Sequence, residues 1–205
     1  MDLLLIRHAE PVRIERPDDR PADPHLHERG AAQAARLAGW LVDEGLDALY
    51  SSPLVRARET AAAITAELGL EPTIEDGLAE FDRLSNVYIP MEELKAAKDE
   101  RWDALVSGGY FGEGDPEAFA AGVIDTIDGI VDANPGRRVG VVCHGGVINT
   151  YLCAVVGLAP TMFFEPRYTS ISRVAAARSG IKTLVSINES AHLRGLPGFE
   201  PLRSR

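Results

Sequence analysis

Leu3-Leu4-Leu5-Ile6-Arg7-His8-Ala9-Glu10 lies at the very start of the chain. Four apolar residues in succession are too few for a helix and read as a buried strand. The run stops abruptly at an arginine, a histidine and a carboxylate. Open α/β sheets hold ligands at the carboxyl ends of their strands, so Arg7 and His8 are delivered to the mouth of a crevice. By itself, an Arg-His pair in that place reads as a solvated strand terminus.

Two later stretches change that reading. Ser51-Ser52-Pro53-Leu54-Val55-Arg56-Ala57-Arg58-Glu59-Thr60-Ala61 follows a short apolar segment, Ala48-Leu49-Tyr50, and opens an alanine-rich helix. Val139-Gly140-Val141-Val142-Cys143-His144-Gly145-Gly146-Val147-Ile148 is another strand ending in histidine, followed by glycines and a new helix. The R-H-A-E motif, the S-S-P-L-x-R-A-x-x-T-A helix start and the late H-G-G occur in this order. As a set they resemble the histidine phosphatase superfamily, with its phosphoglycerate mutase-like fold, and the resemblance covers most of the chain.

At 205 residues the chain suits one domain, 1–205, and buries a substantial core. Hydrophobic and charged contents of 45% and 25% are ordinary for a water-soluble globular protein. A formal net charge of −10 argues against a nucleic-acid or anionic-membrane surface. It also requires local arginines to overcome the global field wherever an anion binds. Cys143 and Cys153 form no disulfide framework and sit in apolar company, as buried thiols do. Met1-Asp2 leads straight into the first strand with no basic leader, and no run approaches membrane-spanning length. The expectation is a cytoplasmic protein acting on a small phosphorylated substrate, with no metal and no cofactor.

Alternating strand and helix patterns predict a three-layer αβα sandwich around a mostly parallel sheet. Between Pro11 and Leu26, prolines 17, 21 and 24 rule out a helix, leaving a flap or a piece of the substrate rim. His25 and His27 have no partnering Cys or carboxylate pattern and read as polar loop residues. Helices are expected over Glu28–Glu44, from Ser52-Pro53 (proline in the first turn) to Leu68, over Met91–Val106, from Asp115-Pro116 to Asn134, and over Val147–Val156. Strands are expected at Ala48–Ser51 and Pro72–Glu75, and a hairpin at Ile171–Arg178 and Ile181–Ile187 around Ser179-Gly180. The region 83–114, with its glycine-rich patch Gly108–Gly112, reads as an insertion beside the crevice that contributes to substrate choice. The tail from Gly195 reads as loose.

Two strands ending in histidine and a helix starting near arginine could bring four hydrogen-bonding groups to one place. A phosphoryl group in transfer spreads charge over three equatorial oxygens, so clamping and positioning do most of the work. Arg7 and Arg56 carry planar forks suited to phosphate oxygens, and His144 can add one more donor. His8 is the candidate nucleophile, provided its other ring nitrogen is held protonated. The resemblance implies the same division: a phosphorylated first histidine, with the arginines and second histidine holding the phosphate. It further implies an acid-base carboxylate in an L-x-E pattern, matched by Leu78-Ala79-Glu80, with Asp82 the next candidate.

The chain departs from many relatives at Ile14, where they carry asparagine, and at Leu26-His27-Glu28-Arg29-Gly30, where His27 replaces threonine. Arg13, Arg58 and Arg83 read as surface charges, His192 as a structural histidine, and Trp40 and Trp102 as packing residues. The leading expectation is a metal-independent phosphomonoesterase. The alternatives are a phosphoglycerate or phosphosugar mutase, which would need more capping structure, and a non-catalytic relative that binds a phospho-ligand or a protein.

Overall fold

The computed structural model describes residues 1–106 and 114–199, without the side chains of 104–106. The chain runs β1 (Asp2–Arg7), β2 (Ile14–Glu15), α1 (Glu28–Leu41), β3 (Ala48–Ser51), α2 (Val55–Leu68), β4 (Pro72–Ile74), β5 (Val87–Tyr88), α3 (Met91–Ala97), α4 (Glu100–Val106), α5 (Pro116–Ala133), β6 (Arg138–Cys143), α6 (Gly145–Val156), β7 (Ile171–Ala176) and β8 (Lys182–Glu189). The main sheet has the order β4-β3-β6-β1-β7-β8. Pairs β1–β6, β3–β6 and β3–β4 are parallel, while β7 and β8 join antiparallel as the expected hairpin.

The Leu3–Ile6 run divides by its twofold alternation between two cores. Leu3 and Leu5 join Val139, Val141 and Val174 under α5 and α6, where Val123, Ile127, Ile148 and Tyr151 are buried. Leu4 and Ile6 join Leu49 and Val142 under α1 and α2, with Leu37, Leu41, Ala57 and Ile64. Burial on both faces is why the strand reads as a continuous apolar run. The result is the three-layer sandwich expected from the sequence. Among the described residues no helix is long and apolar enough to cross a membrane.

α1 crosses the chain just beyond β1 at very close range. A Cβ on Gly30 would lie 2.0 Å from the Glu10 carbonyl oxygen, a backbone atom that cannot swing aside. Gly30→Ala should therefore lower stability by about 3 kcal/mol, the upper range for overpacking, as read from urea unfolding. A loss under about 0.5 kcal/mol would show that the helix slides away freely. Glu10 itself has a structural role: it pairs with Arg29, and its N–H donates to Gln33 Oε1 at 3.0 Å.

Several expectations are corrected. The Pro11–Leu26 segment contains a strand after all. β2 finds its partner in β5, forming a two-stranded ribbon separate from the main sheet, and Pro11 bridges Leu26. The expected Met91–Val106 helix is two, because Lys98 turns left-handed (φ 51°) and caps α3 by donating to the Leu94 and Lys95 carbonyls. Asp99 Oδ1 then accepts from Arg101 N and opens α4. Pro53 precedes α2 rather than sitting in its first turn, since Leu54 is the cap residue. The Val55 N–H there is taken by Asp23 Oδ1 at 2.9 Å. The tail makes turns through Phe199, whose ring lies under Arg167 at 5.1 Å. The patch Gly108–Gly112 and the last six residues lie outside the described residues.

Candidate active site

The three central strands β3, β6 and β1 end at one edge, and the chain leaves each with a functional residue. The ladder between β1 and β6 continues one residue further, His8 N donating to the Cys143 carbonyl at 2.9 Å. His8 and His144 are thereby carried out side by side, ring centroids 5.0 Å apart. Arg7 closes β1, and Arg56 stands in the first turn of α2, both buried.

Local chemistry fixes each group. Nδ1 of His8 lies 2.8 Å from the Ala9 carbonyl, which has no proton to give, so Nδ1 carries the hydrogen and Nε2 keeps its lone pair. Burial, followed by the Arg56 and Arg7 guanidiniums, holds His8 well below the usual imidazole range and therefore neutral. Ala9 N donates to Thr60 Oγ1 (2.9 Å), whose hydroxyl donates to the Arg56 carbonyl (2.7 Å), fastening α2 to the end of β1. His144 Nε2 shares a hydrogen bond of 2.7 Å with the Ser52 hydroxyl, and when the hydroxyl donates it, Nδ1 carries the ring proton. Burial, then Arg56, His8 and Arg7, also hold this ring well below its ordinary pKa.

The two guanidiniums are underused. Arg7 Nη1 donates to the Pro166 carbonyl at 2.6 Å and reaches Glu92 only at 3.4 Å. Arg56 meets Asp82 at 3.4 Å and Asp23 at 3.8 Å, both long for ion pairs. Tyr168 lies under Arg7 at 3.9 Å and Tyr88 under Arg56 at 4.6 Å, cation–π contacts that hold the planes without consuming N–H donors. Arg7 Nε, Arg56 Nε and His144 Nδ1 are all buried without a hydrogen-bond partner. Buried donors are nearly always paired, so two orphaned guanidinium nitrogens on residues that line one cavity with the His8 imidazole form a place for an anion.

Glu80 completes the group. Its carboxylate accepts from Gly146 N at 2.9 Å and from Phe81 N at 3.0 Å, at the start of α6. A Cβ on Gly146 would stand 2.3 Å from Glu80 Oε1, so the second glycine of H-G-G is the space the carboxylate occupies. Burial and the neighbouring Asp82 push Glu80 above the usual carboxylate range; burial also raises Asp82, against the pull of Arg56. A cavity of about 110 Å³ is lined by Arg7, His8, Arg56, Glu80 and Asp82 together with Phe81, Tyr88, Ile89, Met91, Leu94, Met162 and the two glycines. His144 is not among its lining residues and meets the site through His8.

The structure thus brings together all five residues singled out in the sequence: Arg7, His8, Arg56, Glu80 and His144. Ser52 and Thr60 lay inside a quoted motif, and their hydroxyls could have been read as positioning groups. Tyr88, Tyr168 and Glu92 had no local signal. His25 pairs with Glu59, His27 caps α1 by accepting from Arg29 N, and His192 lies 3.1 Å from Thr169 Oγ1, with Trp40 half exposed beside it. Among the described residues, no cluster of three or more His, Cys, Asp and Glu could hold a metal ion.

Such a sheet, with two histidines and two arginines at its carboxyl edge, defines a phosphate-handling α/β protein. The family model for the histidine phosphatase superfamily (branch 1) matches residues 3–190, and the chain belongs to that family. It is 32% identical over 171 residues to phosphoserine phosphatase 1 of Hydrogenobacter thermophilus, covering 80% of each chain. It is 34% identical over 160 residues to phosphoglycerate mutase-like protein 4 of Arabidopsis thaliana, covering 73% of this chain and 68% of that one. The crystal structure of Entamoeba histolytica phosphoserine phosphatase with 3-phosphoglyceric acid superimposes with a TM-score of 0.72 at 26% identity, covering 94% and 98% of the two chains.

Proposed function

We propose that this protein hydrolyses phosphate monoesters of small molecules through a phosphohistidine on His8. The observation that carries the reading is the pair of unpartnered buried donors, Arg7 Nε and Arg56 Nε, on residues that line one cavity with a neutral His8 imidazole, with the unpartnered His144 Nδ1 in the adjoining ring. The phosphoryl group sits between the two guanidiniums, and Nε2 of His8 attacks phosphorus in line. An N–P bond forms as the ester P–O bond breaks, and Glu80, whose pKa is raised by burial and Asp82, protonates the departing alkoxide in its acid form. Glu80, now a carboxylate, takes a proton from water. That water attacks phosphorus, the N–P bond breaks, and inorganic phosphate leaves with His8 restored.

The family membership and the phosphatase relatives support hydrolysis. The mutase-like relative supports a second reading, in which the phosphoryl group returns to the same molecule. A non-catalytic relative would have a broken clamp or nucleophile, and here both are intact. We also read the chain as one domain in which residues 83–114 form the specificity insertion, since Tyr88, Ile89, Met91 and Leu94 line the cavity. A reducing cytoplasmic setting fits the two free, buried thiols Cys143 and Cys153.

The test is chemical. Protein quenched during turnover should carry phosphate that is labile to acid and stable to base, and the ester should yield free phosphate, undiminished by EDTA. Turnover without protein-bound phosphate overturns the mechanism. Phosphate migration without release selects the mutase. Gly146→Ala supplies a structural check: displacing the Glu80 carboxylate should slow phosphate release roughly 10²-fold, the scale of an ångström's misplacement. Unchanged release would remove Glu80 from the reaction.

A further inference from the structure

We infer that the alcohol half of the substrate is apolar and uncharged, an aryl-alkyl or alkyl phosphate rather than an ester bearing its own carboxylate. This rests on the phosphatase reading and concerns the other end of the same cavity. Once the phosphoryl clamp is set aside, the lining that remains consists chiefly of Phe81, Ile89, Met91, Leu94 and Met162. Among the described residues, Arg7 and Arg56 are the only cations in that lining, and both are committed to the phosphoryl group. Residues 107–113, beyond the described set, contain no lysine or arginine.

Three cations on neighbouring segments are engaged or exposed away from the wall, and Arg16, whose Nε is buried without a partner beside β5, is not among the lining residues. Arg13 pairs with Glu15 and Glu93, Lys95 with Glu165 at 2.6 Å, and Arg83 is exposed outside the lining. The remaining charges facing the ligand have the wrong sign for a carboxylate. Asp82 lines the cavity and Glu92 lies against Arg7, while Glu80, the proton donor of the first half, offers a carboxylate no cationic partner. A substrate carboxylate seated at that end would lose its water and meet no cation beyond the two already committed to the phosphoryl group. Two methionines in the wall, Met91 and Met162, can reshape to fit apolar groups of different outline.

The experiment compares benzyl phosphate with O-phosphoserine and 3-phosphoglycerate, all esters of primary alcohols, by phosphate release. The expected result is a kcat/KM for benzyl phosphate at least tenfold above either acid. Equal or better use of either acid overturns the inference while leaving the phosphatase reading intact. Release from none of the three counts against the phosphatase reading. Calorimetry of the same compounds with the His8→Ala protein then decides the preference, with tighter binding of benzyl phosphate expected and tighter binding of an acid overturning it. Met162→Lys, at a half-buried wall position, should shift the preference at least tenfold toward 3-phosphoglycerate, with Ile89→Lys as a second variant. An unshifted preference in a folded variant also overturns it.

Discussion

Replacing His8 with alanine should leave a folded protein whose phosphate release is roughly 10⁶-fold slower or absent, the scale on which enzymes lose rate with their covalent nucleophile. Its fold should survive because the ring makes one hydrogen bond, to the adjacent Ala9 carbonyl, and the sheet ladder passes through its backbone rather than its side chain. Far-UV circular dichroism and a melting curve would check that. Protein-bound phosphate should vanish in the same variant. An alanine variant that retains even a tenth of the activity would assign the nucleophile elsewhere.

Glu80→Gln should separate the two halves of the reaction. On an alkyl phosphate the first half loses its proton donor, and turnover should fall by about 10²–10⁴-fold, the usual range for a general acid-base group. On p-nitrophenyl phosphate the leaving group departs unaided, so one equivalent of nitrophenolate should appear in a burst. Slow hydrolysis then leaves the phosphoprotein to accumulate. Asp82→Asn should give neither the burst nor the accumulation, and a burst there instead would exchange the two roles.

The pH dependence has a defined sign. Glu80 must be protonated for the first half and its pKa is raised, so alkyl-ester turnover persists above the usual carboxylate range and falls as pH rises through that raised value. His8 must be neutral and its pKa is lowered, so it stays competent well below pH 6.5. Rate measurements in wild type and Glu80→Gln should show the alkaline-side fall only in wild type.

Much of this was legible in the order of the residues, because strand ends in a parallel sheet announce themselves. Leu3–Ile6 and Val139–Cys143 are apolar on both faces and stop at a charged or imidazole residue, so strand, burial and site position follow from one pattern. Glycine 146 could be seen, but not its reason, since Glu80 comes from a segment 66 residues away. The ribbon of Ile14–Glu15 with Val87–Tyr88 escaped for the same cause: two-residue strands have no periodicity, and each exists only because the other does. The break at Lys98 was hidden because a lysine in a left-handed cap carries no compositional mark where glycine would.

That ribbon shares no hydrogen-bonded ladder with the main sheet. The reacting groups hang chiefly from the main sheet, whereas Tyr88 of the ribbon, and Ile89, Met91 and Leu94 that follow it, supply part of the surface that greets the rest of the ligand. Substitutions at Ile89 or Leu94 therefore reach ligand choice without disturbing the strand ends that hold His8 and His144. Over generations a chain built this way can change its diet while keeping its teeth.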